Sequence, residues 1–154
     1  KYNFSATCYI VSKRIGSSNT WDFDKGITQR PLMTSDEIKD WLDLGMDIGA
    51  HSQTHPDLTA ISEDIAFKEI VECKAELENI FKIVIEDFCY PFGRFNESIC
   101  KIASKAGYAT ATTMLRGRVN HKSNMFQLPR MPINHHTLPH LFLAKIFTKY
   151  EDKR

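Results

Sequence analysis

The stretch that most constrains this chain is Met46-Asp-Ile-Gly-Ala50, a short apolar run that stops against His51-Ser-Gln-Thr-His55-Pro56. Histidines four residues apart can share one face of a helix, but a proline disfavours α conformation in the residue before it, here His55. The run therefore reads as a buried strand, and both imidazoles are expected on a loop at its carboxyl end.

The rest of the chain repeats that grammar. Phe4 to Val11 is rich in β-branched and aromatic types and predicts a strand buried on both faces; Ser12 to Arg30 is polar and predicts a surface loop carrying Trp21-Asp22-Phe23-Asp24, its acids solvated. Thr34-Ser-Asp-Glu37 is a capping box that starts a helix with Ile38, Trp41 and Leu42 as its apolar face, and Gly45 is placed to end it. After the histidines, Ser62 can cap a long helix whose apolar stripe is Ala66, Ile70, Cys73, Leu77 and Ile80, with Lys and Glu turned to water. Ile83 to Tyr90 predicts a strand running into Pro91-Phe92-Gly93. Asn96 caps a helix ending at Gly107, and Tyr108 to Met114 predicts the next strand. An extended piece, Phe126 to Ile133, is followed by His135 and His136 and by Thr137 as cap for a helix from Leu138 to Tyr150, with Leu141, Ala144 and Phe147 or Ile146 facing the core. Strands alternating with helices at this spacing imply a parallel sheet or barrel, with functional loops at the carboxyl ends of the strands. His51, His55, Phe92 and the histidines after Arg130 all fall at such ends.

Composition excludes more than it selects. The 154 residues are 42% hydrophobic and 25% charged, enough apolar content for one globular domain, and no linker or repeat divides them. Twenty Lys and Arg against nineteen Asp and Glu leave no basic excess for nucleic acid. No apolar run approaches the roughly 20 residues of a spanning helix, and Lys1-Tyr-Asn-Phe is no signal peptide. The four cysteines stand apart in apolar stretches and read as buried free thiols.

Neutral imidazoles are common ligands for divalent transition metals, and two on a short loop can bind one ion. From spacing alone, that reading stands beside a bland one in which His51 caps a strand end and His55 lies on the surface.

The wording of the loop goes further. Gly49-Ala-His51-Ser-Gln-Thr-His55-Pro56, with Asp57-Leu-Thr59 behind it, resembles the second motif of the polysaccharide deacetylases, the nodulation-factor deacetylase homology domain of carbohydrate esterase family four. Tyr90-Pro91-Phe92-Gly93 resembles the third motif, Leu128-Pro129-Arg130 the segment carrying the fourth-motif arginine, and Phe4 to Val11 with Asn19 to Asp22 the strand and loop before the histidines. The resemblance implies a distorted, incomplete (β/α) barrel and a metal-dependent hydrolase removing N-acetyl groups from N-acetylglucosamine-containing polysaccharide: exopolysaccharide, peptidoglycan or chitin-like. It implies His51 and His55 as metal ligands, with zinc the expected ion and cobalt, nickel or iron suited to the same donors. Tyr90, Pro91, Phe92, Gly93 and Trp21 are implied on the substrate side, the Phe92 amide stabilising the oxyanion. Arg130 orients a base, and His135 or His136 protonates the leaving amine. The family also implies an extracellular, periplasmic or envelope location.

Two departures qualify the match. The family's first motif, an Asp-Asp run supplying the base and the carboxylate ligand, is absent, and Asp22-Phe-Asp24 falls on the wrong side of the first strand to replace it. The expectation is an N-terminally truncated catalytic domain over residues 1–154; the other reading is a non-catalytic carbohydrate-binding or scaffold domain that has lost its carboxylates. Cys89 stands where many members carry arginine, which leans towards the group acting on exported poly-N-acetylglucosamine.

Overall fold

A computed structural model describes residues 4–150. Five strands, β1 (Thr7–Ile10), β2 (Asp47–Ala50), β3 (Asp87–Cys89), β4 (Thr110–Arg116) and β5 (Leu128–Arg130), form one sheet in the order β1-β2-β3-β4-β5. Every neighbouring pair is parallel, so all the carboxyl ends lie on one rim. Helices α1 (Ser35–Asp43), α2 (Glu63–Phe81) and α3 (Glu97–Lys105) connect successive strands, as parallel pairing requires. This is an open, incomplete (β/α) barrel.

The helix starts follow local chemistry. Thr34 Oγ1 accepts from the Glu37 amide while the Glu37 carboxylate accepts from the Thr34 amide at 2.8 Å, the full capping box. Ser62 and Asn96 cap α2 and α3 through the amides of Ile65 and Ile99. The core lies between the sheet and these helices, where Ile38, Ile48, Ile70, Leu77, Phe88 and Tyr90 are fully or almost fully buried.

Several sequence expectations are corrected. β1 is shorter than Phe4 to Val11 and is not buried on both faces: Phe4 and Thr7 are exposed, and Cys8 and Tyr9 half-buried, because β1 has β2 as its one strand neighbour among the described residues. The segment after β1 is not a simple loop but carries two short 3-10 turns, Ser12–Arg14 and Thr20–Lys25, and Ser12 is buried. On α2, Ile80 is exposed, whereas Glu69 is buried on the side assigned to core. The strand expected over Ile83 to Tyr90 narrows to β3, with Val84 in solvent. The last helix, α4 (Pro139–Phe147), begins at Leu138 with no side-chain cap. Thr137 instead bonds Asn134 within the preceding turn, and Pro139 already omits one of the donors a cap would serve. No residue of α4 is buried, so its apolar face is not core packing in the described structure.

Candidate active site

β2 ends at Ala50, and the His51 amide still donates to the Ile10 carbonyl, extending the pairing with β1 by one residue. The chain then turns sharply: Ser52 and His55 both take left-handed backbone, at φ of 63° and 66°. The Ser52 hydroxyl accepts from the His55 amide at 2.9 Å, closing the turn and bringing the second ring back over the first. His51 Nε2 and His55 Nε2 stand 3.1 Å apart.

The tautomer of His51 follows from its other nitrogen. Nδ1 lies 2.6 Å from the Cys89 carbonyl, which can only accept, so Nδ1 carries the proton and the neutral ring presents its Nε2 lone pair to His55. Two imidazole nitrogens on one ion, with bonds of about 2.0–2.1 Å, sit roughly 3 to 3.5 Å apart. The pair therefore fits a divalent cation in spacing and in the state of its His51 donor. Among the described residues no group of three His, Cys, Asp or Glu side chains converges on one point, so these two form a pair, not a full ligand set.

Aromatic rings enclose His55. Trp21, carried in by the second 3-10 turn, stacks on it at 4.3 Å and 18°, and Phe92 meets it edge-on at 4.6 Å. A hollow of about 140 Å³ opens beside His51, lined by Cys8, Tyr9, Val11, Trp21 and Met33 among others. Phe92 reaches the rim through strained backbone, φ 56°, at the end of β3. Tyr90 and Pro91 do not line a groove: both side chains are buried, and the Tyr90 hydroxyl donates to the Phe126 carbonyl at 3.0 Å. Their part is to anchor the turn that presents Phe92. Gly93 lets that turn close on β4, since a Cβ there would meet the Met114 backbone nitrogen at 2.6 Å.

Cys89 lies under His51. Burial pushes its thiol up, but hydrogen bonding to His51 and Thr112 and the charge of Arg130 hold it below its ordinary value of 9.0. Arg130 stands on the same rim. At the carboxyl end of β5 its Nε donates to the Thr113 carbonyl at 2.7 Å, and its charge is felt at Cys89 and Tyr9. Arg130 also borders a second cleft with Arg116 and Met114. His135 and His136 lie on the exposed turn before α4, with ring centroids 3.8 Å apart. Asp22 is half-buried, not simply solvated, and accepts from Asn19 at 3.3 Å.

The comparisons with known proteins agree with this geometry. The sequence model of the family described as polysaccharide deacetylase matches residues 1–111. The chain belongs to the polysaccharide deacetylase family. It is 25% identical over 134 residues to the Bacillus subtilis (strain 168) polysaccharide deacetylase YxkH, covering 87% of this chain and 44% of that protein. It is 23% identical over 150 residues to the poly-beta-1,6-N-acetyl-D-glucosamine N-deacetylase of Staphylococcus aureus (strain MRSA252), covering 92% of this chain and 49% of the relative. This polysaccharide deacetylase chain thus spans about half the length of the relatives it matches. Among solved structures, Streptococcus pyogenes deacetylase PplD in complex with acetate superposes with a TM-score of 0.79 at 23% identity, over 94% of this chain and 60% of that one. A Bacillus cereus polysaccharide deacetylase gives 0.79 at 23% identity, over 95% and 43%. At these identities the superpositions speak for the fold.

Sequence reasoning missed the packing of Trp21 on His55 and the two carboxylates of α2 beneath the loop, Glu69 buried and Glu76 half-buried. Glu69 and Glu76 each stand one residue before a stripe position, Ile70 and Leu77. That placement beside the apolar stripe was the available signal.

Proposed function

We propose that this protein is a divalent-metal-dependent N-deacetylase acting on an N-acetylglucosamine polysaccharide, with residues 1–154 contributing to its catalytic domain. The observation that carries the reading is the convergence of His51 Nε2 and His55 Nε2 at 3.1 Å on the carboxyl rim of the sheet, in a chain of this family. Zinc is the ion first expected from the imidazole donors, with cobalt, nickel and iron as alternatives. When bound, such an ion supplies Lewis-acid polarisation of the amide carbonyl and a more acidic water.

The chain's own groups would do the rest. Trp21 and Phe92 give a sugar ring apolar faces beside the histidines, and the Phe92 amide is the candidate donor to the oxyanion. Arg130 would orient a base, and His135 or His136 would give the proton that the poor amine leaving group needs. The names of the Staphylococcus relatives support a β-1,6-linked polymer. Such a substrate would place the protein outside the cell, in the periplasm or at the envelope.

The test is acetate release from N-acetylated β-1,6-glucosamine oligomers by the whole natural protein. Chelation should abolish release and added Zn or Co should restore it; His51→Ala and His55→Ala should each lower turnover by about 100-fold or more, beyond what loss of an outer partner does. Oligomer binding without acetate release at any metal loading would overturn the enzyme reading in favour of a carbohydrate-binding domain.

A further inference from the structure

The His51 to His55 turn holds two side-chain-bearing residues in left-handed backbone, a conformation such residues rarely adopt. Something outside the turn must hold it, and the structure places that support on α2. Glu69 is 8% exposed, and one of its oxygens, Oε2, accepts from the amides of both Gln53, at 2.8 Å, and Thr54, at 2.9 Å. Its other oxygen accepts from the Thr54 hydroxyl at 2.6 Å. Two turns further along the same helix, Glu76 accepts from the Gln53 side-chain amide at 2.7 Å and from Ser12 Oγ at 2.5 Å. Between them Cys73 Sγ lies 3.2 Å from the Ser52 carbonyl. On the other side, the Ser12 and Lys13 amides donate to the carbonyls of Ser52 and Gln53 at 3.2 and 3.0 Å. The Ser52–Gln53 and Gln53–Thr54 peptides, at the middle of the turn, are thus each tied on both sides to neighbouring elements.

We propose that Glu69, seconded by Glu76, is a positioning residue for the histidine pair: it fixes the 52–54 backbone so that both Nε2 atoms meet one divalent cation. This rests on the metal reading given above. Without the Glu69 carboxylate, the Gln53 and Thr54 amides would be left buried and unsatisfied, and the turn would relax towards ordinary backbone to reach water. His55, at the far end of the turn, would carry its nitrogen away from His51. The expected loss is one of metal affinity, because the ligands themselves stay in place in the sequence.

The experiment measures Zn²⁺ and Co²⁺ affinity of the whole natural protein by competition with a chromophoric chelator, with the melting temperature of the metal-free form recorded for each variant. Glu69→Ala should weaken affinity by about tenfold or more, the usual scale for partners behind a metal ligand. Glu69→Gln should rescue it to within about threefold, because its carbonyl still accepts from both amides while its NH₂ can donate to the Thr54 hydroxyl. Leu77→Ala, on the same helix but in the core, should lower the melting temperature with affinity unchanged. Affinity that falls in Glu69→Ala only as it falls in Leu77→Ala at equal loss of stability would overturn the proposal. Should Glu69→Ala fail to fold, Thr54→Val carries the test: weaker affinity at near-native melting temperature supports the proposal, and unchanged affinity overturns it. His51→Ala and His55→Ala separate the two levels. If they abolish binding while the α2 variants leave it intact, the positioning role falls and the metal reading stands; if they leave binding intact, both fall.

Discussion

Phe92 occupies a position that only a neighbouring glycine makes available. Its left-handed backbone turns the chain from β3 into the rim, and Gly93 follows at φ 65° in contact with β4. A methyl at Gly93 would have to displace Met114, whose backbone is fixed in the sheet, so the strain cannot be relieved by a rotamer change. Gly93→Ala is expected to destabilise the protein by about 2 kcal/mol or more, combining overpacking with disfavoured backbone. Chemical denaturation measures this, and a loss below about 0.5 kcal/mol would show that the turn can open away from β4. At this scale the sequence was most readable where partners are close along the chain. Thr34 with Glu37, and His51 with His55 before Pro56, announce themselves through spacing. Trp21 does not, because its ring meets His55 34 positions away and nothing in Asn19 to Asp22 encodes that contact. Glu69 was read as a solvated helix charge because glutamates usually are; the amides that stabilise it belong to another segment.

Between elements, one ion pair ties the two rim loops together. Arg94, just after the Phe92 turn, bonds Asp57, just after His55-Pro56, and the Thr59 amide and hydroxyl donate to the other Asp57 oxygen at 3.0 and 2.6 Å. Partial burial pushes the Asp57 carboxyl up, but the Thr59 bonds and the Arg94 guanidinium outweigh it and hold the group below its ordinary value of 3.8. A carboxyl depressed in the folded state contributes stability that is present above its unfolded value and is lost as pH falls through the folded one. Asp57→Asn keeps an acceptor for Thr59 and removes the charge. The melting-temperature gap between wild type and Asp57→Asn should therefore be steady from pH 7 to about 5 and close below about pH 4. With Arg94 largely exposed the stability difference behind the gap is modest, on the order of 0.5 kcal/mol, and a gap that widened in acid would contradict the assignment. Helix boundaries at this scale were legible where a cap is a local pattern, as at Thr34, Ser62 and Asn96. They were misread at Thr137, where a turn with Asn134 competes for the same hydroxyl.

Across the whole molecule, alternation of apolar runs with amphipathic stretches was enough to read a parallel α/β fold, because each crossover must bury one helix face against the sheet. It could not show how unevenly the burial is shared. In α2, Ala66, Ile70, Cys73 and Leu77 are fully buried against β2 and α3; in α4 nothing is buried and Phe147 is 76% exposed. An apolar pattern fixes which face of a helix is available for packing, while the partner that covers it is a property of the assembled chain. Stability should therefore be graded along the described chain. Leu77→Ala opens a cavity between fixed elements and should cost about 2–5 kcal/mol, whereas Phe147→Ser removes a side chain already in water and should cost less than about 0.5 kcal/mol. In native-state hydrogen exchange on this 154-residue chain, amides of α2 should open only with global unfolding and follow the denaturant dependence of the whole. Amides of α4 should exchange through a smaller opening that Leu77→Ala leaves unchanged. If the two helices exchange with the same free energy and both shift in Leu77→Ala, α4 is part of the cooperative core despite its exposure, and the local openings assigned to it do not occur.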